Sequence, residues 1–477
     1  MIKNNSPKNK DKFKVLLINI SLRPESTVHL FPIGLGYIAT AIDNAGYKLE
    51  ILDIDKLRLS DTQFEEYIKT NDFDIIAMGC IVTGYKFVKN YCELIKKYTD
   101  IPIIVGNSVA SSIPEILVEK TKADIGVIGE GDITIIELLE ALRQNKPIKD
   151  VKGIFYKEGD KIIFTDKREI IQNIDNLPFI NFDLFDIEFY IEKSKRSIPE
   201  PYPLEYEKLR GFPVNTARGC PFNCTFCYHV FRDEKYRRRS VENIVKEIKL
   251  VKEKYKVNFI FFWDELSISS KKRANQIAEK FIQEDLNIFW SGDCRAGLFK
   301  DNEEDLALAK KLKESGCLGL AYSLENADPD ILEAMNKHIT VEGFIEQSKL
   351  LQKAGLSAWT SLVIGYPQET LKSIKKTFDV CNECNIYPSA GYLLPQPGTK
   401  MYEVAKEMGQ IKDDEEYLLK MGDRQDFRIN LTKLRQEEIE EQVKKSLKKI
   451  SDNMKLNLGE KNLIKTQHYR QKKKNNN

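Results

Sequence analysis

The sequence predicts an α/β protein with a doubly wound parallel sheet at the amino end, a partial (β/α)6 barrel after it and a helical extension at the carboxyl end. From Lys14 onward, short apolar runs alternate with amphipathic stretches. Strands that are apolar along their whole length, with helices between them, form parallel sheets that are covered on both faces. A chain of 477 residues is long enough for two or three such domains.

The composition argues against several classes of function. The 74 Lys and Arg residues nearly cancel the 72 Asp and Glu residues, so no broad basic field is available to hold a nucleic acid. No apolar run approaches the roughly 20 residues of a membrane span, and the first residues, MIKNNSPKNKDKFK, lack the apolar core of a signal peptide. We therefore expect a cytoplasmic protein with no nucleic-acid partner and no membrane span.

The amino-terminal domain is predicted over residues 13–150, after a disordered stretch at residues 1–12. Its strands are predicted in KVLLINI, KLEILDID, DIIAMGC, PIIVG and DIGVIGEGD, with helices between them. Such sheets bind ligands outside the carboxyl ends of their strands, where glycine admits close approach and Ser or Thr offers a hydroxyl. The candidate ligand-binding residues at these ends are Ser21, Thr83, Gly106, Asn107, Ser108, Gly129, Glu130 and Gly131. The alternative is that the glycines serve only as turns.

Residues 151–205 are predicted to form a linker. VKGIFYKEGDKIIFTDK has the pattern of a β-hairpin that turns at Gly159 and Asp160. Proline and aspartate interrupt the apolar residues of IDNLPFINFDLFDIEFY, which follows. We expect this segment to strap the first domain to the second.

Three closely spaced cysteines follow the short strand in PVNTARG. Cys220, Cys224 and Cys227 have the spacing C-x3-C-x2-C, which in a reducing compartment indicates metal binding or catalysis rather than disulfides. A four-iron cube held by three thiolates keeps one iron without a protein ligand. The alternative is a closed zinc site in which His229 completes a Cys3His set. Most of the other six cysteines are expected to be small buried hydrophobic residues.

Residues 206–430 are predicted to form the barrel, because strand and helix patterns alternate after the cysteines. The strands that follow are predicted in NFIFFWDE, NIFWSGD, CLGLAYSLE, SAWTSLVIG and YPSAGYLLP. Sites in such barrels lie at the carboxyl ends of the strands. Those ends carry Asp264, Glu265, Asp293 to Arg295, Ser323 to Glu325, and Gly365. In residues 431–477 we predict an amphipathic helix that acts as a lid or cap, and a basic tail, YRQKKKNNN, too poor in apolar residues to fold.

Four segments, RGCPFNCTFC, FFWDE, SLENAD and VIGYPQET, resemble the core of radical S-adenosylmethionine (SAM) enzymes over roughly residues 206 to 400. The resemblance implies that Cys220, Cys224 and Cys227 hold a [4Fe-4S] cluster whose open iron binds SAM. One electron from the cluster then cleaves SAM to a 5′-deoxyadenosyl radical, which abstracts hydrogen from the substrate. The residues matching the family's SAM contacts are Phe226 at adenine, Asp264 and Glu265 at the amino group, Arg295 at the carboxylate, Ser323 and Glu325 at the ribose, and Gly365 on the adenine-binding strand.

Some of these residues have structural alternatives. The alternative for Arg295 is that it anchors a neighbouring carboxylate. The alternative for Asp264 and Glu265 is that they cap the next helix, which is predicted to begin after Ser267. The adenine motif also departs from the family pattern, because Ser361 stands where glycine is usual. The basic triplet at residues 237–239 is expected to be solvated or structural.

The amino-terminal domain resembles the Rossmann-like cobalamin (B12)-binding domain that precedes the barrel in one class of radical SAM enzymes. The resemblance rests on GLGYIATAIDNAGYKLEILDID, VGNSVASSIPE and ADIGVIGEGDITIIELLEAL, over roughly residues 14 to 145. It implies that the eight strand-end candidates hold cobalamin. The D-x-H-x-x-G motif of the better-known module is absent, since no aspartate precedes His29 at the required spacing. We therefore expect no protein histidine on the lower face of cobalt, which favours methyl donation.

The two resemblances together imply a cobalamin-dependent radical SAM C-methyltransferase. It would act on a small-molecule or peptide substrate and receive electrons from a donor such as flavodoxin or ferredoxin. The alternative with the same cofactors is a radical rearrangement or cyclisation without methylation. A methylthiotransferase would need three more cysteines in the first domain, which contains only Cys80 and Cys92. A zinc-binding scaffold is the non-catalytic alternative.

Overall fold

The computed structural model describes residues 8–465, and in that part of the chain two parallel-sheet domains are joined by a strap. Residues 1–7 of the predicted disordered start and the predicted basic tail lie outside the described residues. Residues 8–12 are placed against the first domain, where Lys10–Lys12 forms one 3-10 turn. No helix between residues 8 and 465 is long and apolar enough to cross a membrane.

The amino-terminal domain is a seven-stranded sheet with the order β2-β1-β3-β4-β5-β6-β7. Its strands are β1 (Lys14–Asn19), β2 (Lys48–Asp53), β3 (Ile75–Gly79), β4 (Ile103–Gly106), β5 (Ile125–Val127), β6 (Ile154–Glu158) and β7 (Lys161–Phe164). The first five strands are parallel, and β6 and β7 continue the sheet in antiparallel pairing. The predicted linker hairpin is therefore part of this sheet, because the Phe155 ring packs onto Gly126 of β5, where a Cβ would collide with it.

Helices cover both faces of this sheet. They are α1 (Ile33–Asn44), α2 (Ile54–Leu57), α3 (Asp61–Thr70), α4 (Tyr85–Lys96), α5 (Ser108–Ser112), α6 (Pro114–Lys120) and α7 (Gly131–Arg143). Helix α1 packs against α7, and α3 packs against α4. The strand order reverses between β1 and β3, and ligands of doubly wound sheets bind at such a point.

The strap between the domains contains helix α8 (Ile187–Ser194). The Tyr190 hydroxyl donates to Asp53 at 2.6 Å and accepts from Asn19 at 3.0 Å, which ties α8 to the ends of β1 and β2. On its other side, α8 packs against the first barrel strand. The segment thus connects both domains by side-chain contacts, in addition to the covalent link.

The second domain is built on parallel strands, apart from one short antiparallel pair, β9 and β10. Its strands are β8 (Gly211–Val214), β9 (Ala217–Arg218), β10 (Arg237–Arg238), β11 (Phe259–Phe262), β12 (Phe289–Asp293), β13 (Cys317–Ala321), β14 (Ser357–Trp359), β15 (Ser361–Ile364) and β16 (Ser389–Tyr392). Five pair in the order β14-β13-β12-β11-β8, and β15 pairs with β16. The predicted strand SAWTSLVIG is thus divided at Thr360, whose hydroxyl accepts from Leu324 N and whose carbonyl accepts from Ser389 N.

The barrel helices follow the predicted pattern. They are α9 (Val241–Tyr255), α10 (Lys271–Gln283), α11 (Glu303–Glu314), α12 (Pro329–Ala334), α13 (Val341–Lys353), α14 (Leu371–Glu383) and α15 (Lys400–Glu407). Two further helices close the described chain, α16 (Asp414–Lys420) and α17 (Gln436–Asn453). Helix α17 packs against α14 and buries an apolar face that includes Val443 and Leu447, and Met454 and Leu456 at its end line the barrel cavity.

Candidate active site

The three motif cysteines line one cavity of about 1430 Å³, which extends from the carboxyl ends of the barrel strands to the residues that precede β14 and β16. Cys220 is half-buried, Cys224 is buried and Cys227 is exposed. Burial raises the pKa of the Cys220 thiol, and a cationic metal would reverse that effect by stabilising the thiolate. The loop therefore presents three thiols to one space, as a three-thiolate cluster requires.

Asp264 holds the strand that leads into the cysteine loop. Its carboxylate accepts from the backbone N–H groups of Thr216 at 2.7 Å and Ala217 at 3.0 Å, and from the Asn215 side chain at 2.6 Å. Burial raises the pKa of Asp264 to about 7. The structure places this side chain within the protein rather than on the cavity, whereas Glu265 lines the cavity. The capping alternative is wrong for both residues, because Ser270 caps helix α10.

Arg295 is a candidate anion-binding residue with a buried donor atom. Its guanidinium stacks on Phe222, with the ring centroid 3.7 Å from Cζ. Its Nη2 atom is buried and has no hydrogen-bond partner within residues 8–465. Burial also lowers the pKa of Arg295. A carboxylate in the cavity would satisfy this donor, and planar guanidinium suits carboxylate geometry.

Ser323 and Glu325 line the same cavity on the next strand. Glu325 is buried and forms an ion pair of 2.7 Å with Lys337, whose ammonium group lies 5.9 Å from the centre of the Phe226 ring. Phe226 also lines the cavity. Sequence reasoning missed Lys337 and Phe222; the position of Phe222 between the first two cysteines was the available signal for it.

Gly365 follows β15 with a φ of +109°, a conformation that favours glycine. Its N–H donates to Glu369 at 3.3 Å, and Glu369 also accepts from Asn326 and from Ser373. Burial raises the pKa of Glu369. Neither Gly365 nor Glu369 lines the cavity within the described chain, so the geometry gives both a structural role in shaping the turn after β15.

Several candidates in the first domain shape an open edge at the ends of β4 and β5. A Cβ built on Gly106 or Gly129 would meet no described atom within 4 Å, so a ligand has room to approach the backbone there. Asn107 caps α5 by accepting from Ser108 N at 2.6 Å, and the Ser108 hydroxyl accepts from Val82 N at 2.8 Å. Thr83, in the adjacent 3-10 turn, is partly exposed.

Other candidates in this domain have their side chains engaged in the protein. Ser21 donates to Asp55 at 2.7 Å and accepts from Arg58. A Cβ on Gly131 would lie 2.9 Å from Ile38 Cδ1, so glycine there serves helix packing. His29 Nδ1 lies 2.8 Å from Asp55 Oδ2, which places the histidine in the same polar cluster as Ser21.

Glu130 joins the two domains rather than pointing into open space. One carboxylate oxygen lies 2.7 Å from both Arg218 and Arg237, and the other accepts from Ile171 N at 2.7 Å. Asp132 pairs with the same Arg218 at 2.9 Å. The basic triplet at residues 237–239 is therefore structural in part, since Arg237 is buried in this cluster.

The zinc alternative has no geometric support in the described chain. His229 is buried, and both its ring nitrogens lack partners within residues 8–465. In that same part of the chain, no group of three or more His, Cys, Asp or Glu side chains is arranged around a single metal ion. A closed Cys3His site requires such a group.

Comparison with known proteins gives matches to both domains. Residues 24–139 match the B12 binding domain, and residues 214–381 match the radical SAM superfamily. An uncharacterized methyltransferase from Pyrococcus horikoshii is 30% identical over 381 residues, which cover 78% of each chain. The anaerobic magnesium-protoporphyrin IX monomethyl ester cyclase of Rubrivivax gelatinosus is 25% identical over 404 residues, covering 81% of this chain and 68% of the cyclase.

A solved structure shares the fold across both domains. The radical SAM methyltransferase TsrM from Kitasatospora setae superposes with a TM-score of 0.64 at 19% identity, covering 83% of this chain and 77% of that one. Together with the sequence matches, this places the protein among enzymes that combine a B12-binding domain with a radical SAM barrel. The chain belongs to the cobalamin-dependent radical SAM family.

Proposed function

We propose that this enzyme transfers a methyl group to a carbon atom of a small-molecule or peptide substrate. The observation that carries the proposal is the single cavity lined by the three thiols and by Arg295, whose Nη2 atom has no partner within residues 8–465, together with the open strand edge of the B12-type domain.

The residues present fit the groups that this function requires. Cys220, Cys224 and Cys227 provide the three thiolates of a [4Fe-4S] cluster. Arg295 offers a buried donor for the carboxylate of SAM, and the bare backbone at Gly106 and Gly129 offers a cradle for cobalamin. When bound, the cluster supplies one electron to SAM, and cobalamin supplies the methyl group to be transferred.

The protein's own contribution is to position and to exclude water. Asp264 accepts hydrogen bonds from Thr216 and Ala217 and so fixes the strand before the cysteines. The cysteine loop therefore begins at a fixed backbone position. Lys337 neutralises Glu325 and keeps that carboxylate oriented on the cavity wall. Holding reactants in fixed geometry inside a dry cavity accounts for a large part of enzymatic rate enhancement.

The decisive experiment is anaerobic incubation of the reconstituted protein with SAM, cobalamin and a reductant. Formation of both 5′-deoxyadenosine and S-adenosylhomocysteine is expected for methyl transfer. If neither product forms although iron, sulfide and cobalamin are bound, the proposal is wrong.

A second candidate is a cobalamin-assisted cyclisation or rearrangement without methylation. The similarity to the cyclase of Rubrivivax gelatinosus favours it, because that relative carries a cyclase name over a comparable length of chain. In the same incubation, 5′-deoxyadenosine without S-adenosylhomocysteine would favour this candidate over methyl transfer.

We further propose that the enzyme works in the cytoplasm with a flavodoxin or ferredoxin as electron donor and without a nucleic-acid partner. The close spacing of Cys220, Cys224 and Cys227, which favours metal binding over disulfides in a reducing compartment, supports this location. The near balance of 74 basic and 72 acidic residues supports the absence of a nucleic-acid partner. Reduction of the cluster by purified flavodoxin, followed by its absorbance, tests the assignment of the donor.

A further inference from the structure

The barrel has an open lumen because its inner wall carries small side chains. In closed barrels, bulky branched residues fill the interior in layers. Here the strand register places Ser291, Gly319 and Ser357 side by side in one layer of the wall. The cavity of about 1430 Å³ extends along this wall as well as past the cysteines. The lumen therefore has space beyond the positions expected for SAM.

The next layer of the wall, on the amino-terminal side of the expected SAM contacts, contains two tryptophans and an aspartate. Asp293 pairs in register with Ala321, and Ala321 pairs with Trp359. Trp263 belongs to the same layer, since it lies two residues after Phe261, which pairs with Ser291 of the layer below. We call Trp263, Asp293, Ala321 and Trp359 the tryptophan layer, and all four line the cavity.

The tryptophan layer lies one step below the expected SAM contacts. Adding two residues along each strand leads from Trp263 to Glu265, from Asp293 to Arg295 and from Ala321 to Ser323. Two residues of a strand span roughly 6.6 Å. A group bound in the tryptophan layer would therefore lie next to a SAM molecule held by these three residues.

The two tryptophans present aromatic surface to the lumen. The chain contains three tryptophans, of which Trp290 is fully buried in the core. Trp263 is 43% exposed, although large aromatic side chains are usually buried. A Cβ on Gly319 would collide with the backbone oxygen of Ser357 and would lie 2.7 Å from Cη2 of the Trp359 ring. Glycine there permits the close approach of the neighbouring strand, and the edge of the indole lies against the same wall.

Asp293 adds an unpaired carboxylate between the two aromatic walls. Its backbone is fixed by Ser267, whose hydroxyl accepts from Asp293 N at 2.7 Å and donates to its carbonyl at 3.1 Å. Within residues 8–465, no hydrogen-bond donor or cation is paired with this carboxylate, and its electrostatic surroundings are its burial and the like charge of Asp264. A half-buried carboxylate without a partner is costly, and a cationic ligand removes that cost.

We propose that the tryptophan layer is a substrate subsite for a planar aromatic ring that carries an ammonium group. The indoles of Trp263 and Trp359 provide faces for the ring, and Asp293 pairs with the ammonium group. Ala321 leaves the space between them unfilled. The inference rests on the proposed function, because it places the substrate beside the SAM position.

Binding of simple probes to the full-length holoenzyme tests the subsite without turnover. The probes are phenethylamine, its neutral isostere phenethyl alcohol, the anion phenylpropionate and the non-aromatic cation cyclohexylethylamine, measured by calorimetry at a pH above the pKa of Asp293. Phenethylamine should bind at least about tenfold tighter than phenylpropionate, because a hydrogen bond to a charged group is worth roughly that factor. It should also bind about fivefold tighter than cyclohexylethylamine.

Two variants test separately the aromatic contact and the charged contact of the subsite. Trp359→Ala should weaken phenethylamine about fivefold to tenfold. Asp293→Asn should remove the preference for phenethylamine over phenethyl alcohol. Asp160→Asn, which makes the same charge change in the exposed hairpin turn, should alter neither value. Unchanged iron content in all three variants excludes misfolding as the cause.

The subsite is wrong if phenethylamine fails to bind, or if neither Trp359→Ala nor Asp293→Asn changes its affinity. That result differs from failure of the proposed function. Products of SAM cleavage and methyl transfer without probe binding would overturn the subsite alone. Probe binding with the expected variant effects, but without SAM cleavage, would overturn the proposed function and leave a binding site.

Discussion

At the scale of single residues, the unpartnered donor of Arg295 gives a direct prediction for SAM affinity. Arg295→Ala should weaken SAM binding roughly tenfold or more, because a charge-assisted hydrogen bond to the SAM carboxylate would be lost. Equilibrium dialysis of the anaerobically reconstituted protein measures the change. Arg435→Ala, on the exposed start of α17, removes the same charge far from the cavity and serves as the control. Equal SAM affinity in the two variants would contradict the assignment.

Asp293 gives a second residue-scale prediction, which concerns pH. Burial raises the pKa of Asp293 to about 8, and the nearby Asp264 adds to the shift. Glu265 and Arg295 line the same cavity beside it. Below that pKa a proton must leave Asp293 before an ammonium group can pair with it. The affinity for phenethylamine should therefore rise roughly tenfold per unit from pH 6 to pH 8 and then level off. Asp293→Asn should abolish this dependence, and a flat profile in the unaltered protein would contradict the pairing.

At the scale of elements, the parallel sheets followed from the alternation of apolar runs and amphipathic stretches, because that pattern depends on local burial alone. The packing partners of individual elements could not be predicted in this way, because they are distant in sequence. The sequence predicts the hairpin at Gly159 as part of the linker, yet its first strand pairs with β5, where Phe155 packs on Gly126. The sequence predicts that α17 is amphipathic, but the partner of its apolar face, α14, depends on the folded arrangement.

Partners that are distant in sequence also explain why Glu130 forms ion pairs between the domains, and these pairs give a prediction about stability. Its place after β5 suggested a ligand contact, whereas Arg218 and Arg237, about 90 to 110 residues later, occupy its carboxylate. Glu130→Gln leaves the buried Arg237 without a carboxylate partner, whereas Arg218 keeps Asp132, and should lower the free energy of unfolding by about 3 kcal/mol. Glu137→Gln, which breaks a partly exposed pair with Arg168, should cost about 1 kcal/mol or less. Urea denaturation compares the two, and similar midpoints would contradict a special role for Glu130.

At the scale of the whole molecule, the two domains are expected to load their cofactors independently, although contacts bridge them. Cys224→Ala should lose iron and all SAM cleavage while it still binds cobalamin. Gly106→Val should do the reverse, because its side chain enters space that no described protein atom occupies within 4 Å of the Cβ. This variant should keep iron and still form 5′-deoxyadenosine, but no methylated product. Gly459→Val, where a Cβ also meets nothing within 4 Å, is the matched control and should keep both metals.

Metal analysis for iron and cobalt after anaerobic reconstitution measures all three variants in one experiment. The reciprocal pattern follows from the separation of the thiols and the glycine edge onto different sheets, which the order of the sequence motifs already indicated. What the motifs could not indicate is the closeness of the two sheets, since it depends on the strap at α8 and on the buried cluster of Glu130. Loss of cobalt in Cys224→Ala would show that the two domains do not load independently. Retention of cobalt in Gly106→Val would show that the cobalamin edge lies elsewhere than at the ends of β4 and β5.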